Sequence, residues 1–189
     1  MNLLQDATPH SPINHKIERI EEFDLTADQD KAIADLIGRI FNADMGGRSF
    51  AQNRHHRRYI IALEGVLVAH LAICFRAIRL GDDLVDAIGI AEVVVDKPFR
   101  RQGMARALLE AAIADGVHSL SEFALLFGTE RLYRNAGFEN AGNPIKLTNM
   151  LGAATGETTI GPNSAFMVKP LGSRGWDHSA EVDLMGFSF

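Results

Sequence analysis

The amino-acid sequence predicts an α+β fold, a mixed and mostly antiparallel sheet of roughly six to seven strands flanked by about four helices. Three observations carry this expectation. β-rich runs at 59–63, 66–80 and 84–95 are separated by Glu64-Gly65 and by Gly81-Asp82-Asp83, the turn signals of an antiparallel meander. Two segments with apolar residues at helical spacing bracket that meander. A short, wholly apolar run from Phe123 to Phe127 then reads as a buried strand.

The elements follow in order. Residues 1–14 are polar and turn-rich and read as a loose leader, and 16–23 as a first strand. Thr26 and Gln29 have capping-box spacing, and Ile33, Leu36, Ile37, Ile40 and Phe41 continue on one helical face. After the meander and Pro98, the residues Ala105, Leu108, Leu109, Ala112 and Ile113 mark a second helix ending near Gly116. Residues 130–136 form a short helix stopped by Gly137. The glycine-rich remainder holds a strand at 164–169 and another near 182–185.

Bulk properties bound the function. A chain of 189 residues, 47% hydrophobic and 23% charged, suits one globular domain over 1–189. The net charge of −5 argues against a nucleic-acid partner, whose phosphates demand a basic surface. It is compatible with a cationic substrate. The single cysteine, Cys74, lies in an apolar run, reads as a buried strand thiol, and excludes both an internal disulfide and a multi-cysteine metal site. No apolar stretch is long enough for a membrane span and none resembles a signal peptide, so the expected location is the cytoplasm.

The chemistry concentrates between Asp86 and Phe138. An apolar strand end, Val93-Val94-Val95, meets the basic turn Asp96-Lys97-Pro98-Phe99-Arg100-Arg101-Gln102-Gly103, which runs into a helix at Met104-Ala105. Free N–H groups at a helix N-terminus form an anion site. Gly103 lets the backbone approach a phosphate, Ala105 leaves that approach uncluttered, and Arg100 and Arg101 add charge. The turn is neither a Walker loop nor a Gly-x-Gly-x-x-Gly fingerprint.

The motif Arg100-x-x-Gly103-x-Ala105 after a β-rich run resembles the coenzyme A motif of the GNAT superfamily of N-acetyltransferases. The sequence Leu132-Tyr133-Arg134-Asn135-Ala136-Gly137-Phe138 is similar to that superfamily's second motif. The resemblance covers residues 63–138. It implies the GNAT fold, acetyl-CoA as cofactor, and direct acetyl transfer to a primary amine of a small cationic molecule. Backbone groups of Val93, Val94 and Val95 would pair with the pantetheine arm, with the Val93 N–H stabilising the oxyanion. The turn from Arg100 through Gln102 and Met104 to Ala105 would hold the pyrophosphate. Tyr133 would be the general acid, and Glu92, with Asp86 as the weaker candidate, the base.

The strand around His70 and the tail from Glu181 to Phe189 resemble the aminoglycoside 2′-N-acetyltransferase branch. That resemblance implies substrate contacts at Asp86, His70, Asp183 and the terminal carboxylate of Phe189, although His70 also suits a structural hydrogen bond in its strand. Two departures separate the chain from that branch. Its strand carboxylate would stand one residue before Glu92, and its last aromatic is usually tryptophan. A longer acyl donor and a non-catalytic acyl-CoA-binding module are the alternatives, and a homodimer stays open. The run Asn53-Arg54-His55-His56-Arg57-Arg58 reads as a solvated basic segment, since its adjacent histidines lack a second ligand pair.

Overall fold

The computed structural model describes residues 15–41, 45–129, 131–151 and 154–189; the leader at 1–14 lies outside them. Among these described residues ten strands form one sheet, and three α-helices accompany it. The elements are β1 (Glu18–Glu21), α1 (Ala27–Ile40), β2 (Arg57–Leu63), β3 (Val66–Leu80), β4 (Asp83–Val95), α2 (Met104–Val117), β5 (Phe123–Phe127), α3 (Arg131–Asn135), β6 (Glu139–Asn140), β7 (Pro144–Leu151), β8 (Ala154–Pro162), β9 (Phe166–Pro170) and β10 (Val182–Asp183).

The meander is present as expected: β3 pairs antiparallel with β2 along its first half and with β4 along nearly its whole length. β5 then joins β4 in parallel, and β9 closes antiparallel on β5. α1 starts in a full capping box: the Thr26 side chain accepts from the Gln29 N–H at 3.2 Å, and the Gln29 side chain accepts from the Thr26 N–H at 3.0 Å. Such a cap stabilises a helix by about 1 kcal/mol.

Alternate residues of β2 show that the two long helices cover opposite faces. Ile60 packs with Ile33, Leu36 and Ile37 of α1, whereas Tyr59 and Ile61 pack with Leu108, Leu109 and Ala112 of α2. A second cluster surrounds Trp176, whose ring meets Phe123 edge-on at 5.0 Å and whose Nε1 donates to Asn143 Oδ1 at 2.7 Å.

Among the described residues the strand count exceeds the expected six to seven, and three α-helices with two short 3-10 helices stand where about four helices were expected. The missed β7–β8 hairpin explains most of the difference. Its outer strand, Ala-Thr-Gly-Glu-Thr-Thr-Ile-Gly-Pro, is exposed or half-exposed throughout and so has no apolar face to announce it. Ladder hydrogen bonds and polar pairs such as Thr148 with Thr158 define it instead. β6 and β10 are two-residue pairings that only the folded chain creates.

Candidate active site

β4 carries the centre of the site, and a bulge shapes it. His70 faces Val94 and Ala72 faces Ala91, so β4 has one residue too many between those pairs. The extra residue is Glu92, held at φ 51° in the left-handed region that non-glycine residues rarely occupy. Pairing with β5 stops at Ile90 opposite Leu126. Beyond that point β4 continues as Val93-Val94-Val95 without a registered partner on the β5 side among the described residues. Main chain on that edge is therefore placed to pair with an extended ligand.

A cavity of about 520 Å³ lies along this free edge, lined by Val93, Val94, Val95, Arg100, Arg101, Gly103, Met104, Ala105 and Tyr133 among others. The expected turn is thus brought to one groove. Gly103 caps α2 at φ 82°, and a side chain added there would meet open space. Arg101 also has a left-handed backbone, φ 62°. The Arg100 Nε–H donates to the Val95 carbonyl at 3.2 Å, which folds the turn back onto the strand end. Gln102 is exposed, its carbonyl accepting from the His15 ring at 2.8 Å. Two members of the set contribute through main chain alone, because the side chains of Val94 and Met104 are buried in the core. This cradle of α2 N–H groups, clear space over Gly103 and an unregistered strand edge fits a nucleotide pyrophosphate joined to an extended arm.

Next to the groove, a second cavity of about 370 Å³ is lined by Ile90 through Val93, Phe41, Phe127, Gly128, Thr129, Tyr133, Ser188 and Phe189. Tyr133 borders both cavities. It projects from α3 across the end of β5, where a Cβ on Gly128 would overlap its ring. Glu92 and Tyr133 therefore line one wall-to-wall space at the point where β4 parts from β5.

Burial pushes the Glu92 carboxyl up to about 8, against the opposing pull of the Arg58 guanidinium. Its Oε2 lies 3.4 Å from His55 Nε2 and 3.6 Å from Arg58 Nη1, but neither contact makes a hydrogen bond. Arg58 is wholly buried and spends its donors on Glu22, Ser49 and His70. His55 is buried too, and burial together with Arg58 drives its pKa down to about 2, so it is neutral.

Several expected residues stand elsewhere. His70 is fully buried, donating from Nδ1 to the Glu92 carbonyl at 3.1 Å, so it anchors the bulge and touches no substrate space. Asp86 is exposed on the far half of β4, about 20 Å from Glu92 at about 3.3 Å per residue. Asp183 binds Lys146 Nζ at 2.9 Å and lines a separate cavity with Thr148 and Thr158. Phe189, by contrast, reaches the site. Its ring lies over Gly89, where any Cβ would overlap it, with the Arg76 guanidinium 5.3 Å from its centroid.

The segment 53–58 is not a solvated basic run, since His55 and Arg58 turn under Glu92. Periodicity hid this, because both belong to a polar network that crosses three elements. Cys74 is half-buried and lines a third cavity beside Glu92, with burial pushing its thiol up to about 11. Gln52, His55, Arg58, Arg76 and Gly128 are the site residues that sequence reasoning missed. Gly128, directly after an apolar strand and before the tyrosine helix, was the one position with a readable signal.

Residues 24–141 match the family model described as an acetyltransferase (GNAT) domain. The chain belongs to the GNAT acetyltransferase family. Solved structures agree on the fold of this GNAT domain. The Escherichia coli GNAT family N-acetyltransferase YhbS, in complex with CoA, superposes with a TM-score of 0.62 at 19% identity, over 92% of each chain. Escherichia coli ElaA gives 0.56 at 16% identity, over 82% of this chain and 99% of its own. A Brucella melitensis GNAT family acetyltransferase in complex with acetyl-CoA gives 0.55 at 13% identity, over 89% and 96%. Among curated proteins no match was found. No helix among the described residues is long and apolar enough to cross a membrane.

Proposed function

We propose that this GNAT protein transfers an acetyl group from acetyl-CoA to a primary amine of a small molecule. One observation carries the reading: Glu92 and Tyr133 line the same cavity, at the mouth of the groove formed by the β4 edge and the Gly103 turn. The α2 N-terminus, with Arg100 and Arg101, would hold the pyrophosphate, and main chain of Val93 and Val95 the extended arm. Acetyl-CoA supplies an activated acyl thioester when bound.

The residues of the chain manage protons around that donor. Glu92, kept neutral up to about pH 8, becomes a base of matched strength when it ionises and takes the proton from the incoming ammonium. The Tyr133 hydroxyl, from a residue lining the same space, donates a proton to the departing sulfur. Glu92, at the left-handed position of the bulge, lines the cavity that Tyr133 also lines.

An aminoglycoside is the acceptor suggested by the tail's resemblance, and the docking of Phe189 beside Glu92 favours it. The positions of Asp183 and Asp86 weaken it, because they remove the acidic lining that a polyamine would use. Thiol release from acetyl-CoA across aminoglycosides, amino sugars, polyamines and amino acids tests the reading. Turnover with at least one amine is expected; tight acetyl-CoA binding with no turnover on any of them would sink it.

A further inference from the structure

Three buried side-chain atoms have no hydrogen-bond partner among the described residues: Gln52 Oε1, His55 Nδ1 and Glu92 Oε2. All three residues line one cavity of about 190 Å³, next to the space shared by Glu92 and Tyr133. Leaving one such atom unpaired costs about 1–3 kcal/mol, so three on one cavity mark a place where a partner is due.

The chemistry of these atoms specifies that partner. In the ionised form that acts as base, the Glu92 oxygen accepts only. Against that ionised oxygen, 3.4 Å away, the neutral His55 ring is assigned its proton on Nε2, which leaves Nδ1 as an acceptor. The Gln52 amide donates from Nε2 to the Ser188 carbonyl at 3.4 Å, leaving its oxygen as an acceptor. The cavity therefore offers three acceptors and asks for three donors.

Charge narrows the partner further. Arg54 and Arg76 line the same cavity, and Glu92 is the single acidic side chain among its described lining residues. Arg54 is ion-paired with Glu22 and Asp30, whereas Arg76 donates to the carbonyls of Leu184 and Phe187, which leave its charge without a counter-ion. A second or third ammonium would meet the Arg76 cation with no acidic side chain beyond Glu92 to offset it. Hydroxyl groups supply donors without that cost. The volume falls below the range of about 300–1,000 Å³ typical of drug-sized pockets, which suits one ring or a short chain. Phe75, Met150 and Phe189 give its carbon skeleton an apolar wall.

We infer that Gln52, His55 and Glu92 form the acceptor subsite, specific for a small molecule with one primary amine and adjacent hydroxyl groups, an amino alcohol or a mono-amino sugar. The inference rests on the acetyltransfer reading above. Glu92 takes an amine N–H, and His55 Nδ1 and Gln52 Oε1 take hydroxyl protons.

The test compares D-glucosamine, cyclohexylamine and spermidine as acceptors in steady-state kinetics, with acetyl-CoA affinity measured separately by calorimetry. Glucosamine should exceed both others in kcat/KM by roughly tenfold or more, the worth of one or two satisfied buried hydrogen bonds. Gln52→Met should then shrink the glucosamine-to-cyclohexylamine ratio by about tenfold through KM, while Gln52→Glu, which keeps an acceptor oxygen, retains more of it. Equal kcat/KM for glucosamine and cyclohexylamine, or a preference for spermidine, would overturn the subsite and leave acetyl transfer standing. If acetyl-CoA binds and no amine is turned over, both inferences fall. The wild-type comparison decides even if Gln52→Met does not fold.

Discussion

The ring of His70 donates from Nδ1 to the backbone carbonyl of Glu92 at 3.1 Å, while its Nε2 accepts from Arg58 Nη1 at 3.3 Å. A residue on β3 thereby holds the bulge of β4 in place and orients the cation behind the Glu92 carboxylate. Burial and Arg58 keep the ring neutral, with its pKa down to about 3. His70→Phe leaves a buried carbonyl and a buried guanidinium donor short of a partner. The expected loss is about 1–3 kcal/mol, read as a fall in Tm of roughly 2–10 °C. An unchanged Tm would show that the bulge stands without this hydrogen bond.

The pH dependence of catalysis should follow Glu92. Burial raises its pKa to about 8, so the basic form accumulates only above that pH. The rate at low acceptor concentration should climb tenfold per pH unit below about 8 and level off above it. With two acceptors of different amine basicity, the limb should stay near 8. A limb that tracks the amine instead would remove Glu92 from the role of base. Stability runs the other way. A carboxyl whose folded pKa exceeds its ordinary 4.5 favours the native state fully below 4.5 and loses that contribution as pH rises through 8. Glu92→Gln should flatten that segment of the stability profile.

The phosphate turn is tested at Gly103. Its φ of 82° is costly for any side chain, and a β-branched one would project into the open groove. Gly103→Val should weaken acetyl-CoA binding by roughly tenfold or more while the far-UV spectrum and β-sheet content persist. Equal affinity in calorimetry would count against the turn as the phosphate site.

Removing the Tyr133 hydroxyl tests the proton donor. Tyr133→Phe keeps the ring that Gly128 leaves room for and the edge-on contact with Phe138 at 6.4 Å. A drop in kcat of about 10²-fold, with acetyl-CoA affinity intact, is the scale of a lost general acid. An unaltered kcat would exclude that role.

Local rules sufficed for most of the fold. The capping box of Thr26, the turns at Gly65 and Gly81, and the limits of β3 and β5 coincide with the expected positions, because each depends on neighbours a few residues apart. The Arg100–Ala105 turn into α2 and the helix carrying Tyr133 were equally legible, since a strand-to-helix turn and a helix stopped before Gly-Phe are contiguous patterns. β8 was not, because an exposed strand satisfies its backbone across the ladder and needs no apolar code.

The surroundings of Glu92 depend on contacts between distant segments. Nothing local to residues 53–58 says that His55 and Arg58 will be buried under Glu92, or that Gln52 will reach the carbonyl of Ser188. Asp86 and Glu92 share a strand, yet a spacing of about 20 Å separates them, and Asp183 spends its charge on Lys146. The sequence by itself determined the sheet order around the meander, the glycine turn into α2 and the tyrosine helix, through short-range propensity and pattern. Tertiary structure alone decided which carboxylate is buried, which histidine anchors the bulge and which faces the cavity. Burial and charge pairing arise only when segments tens of residues apart are brought into contact.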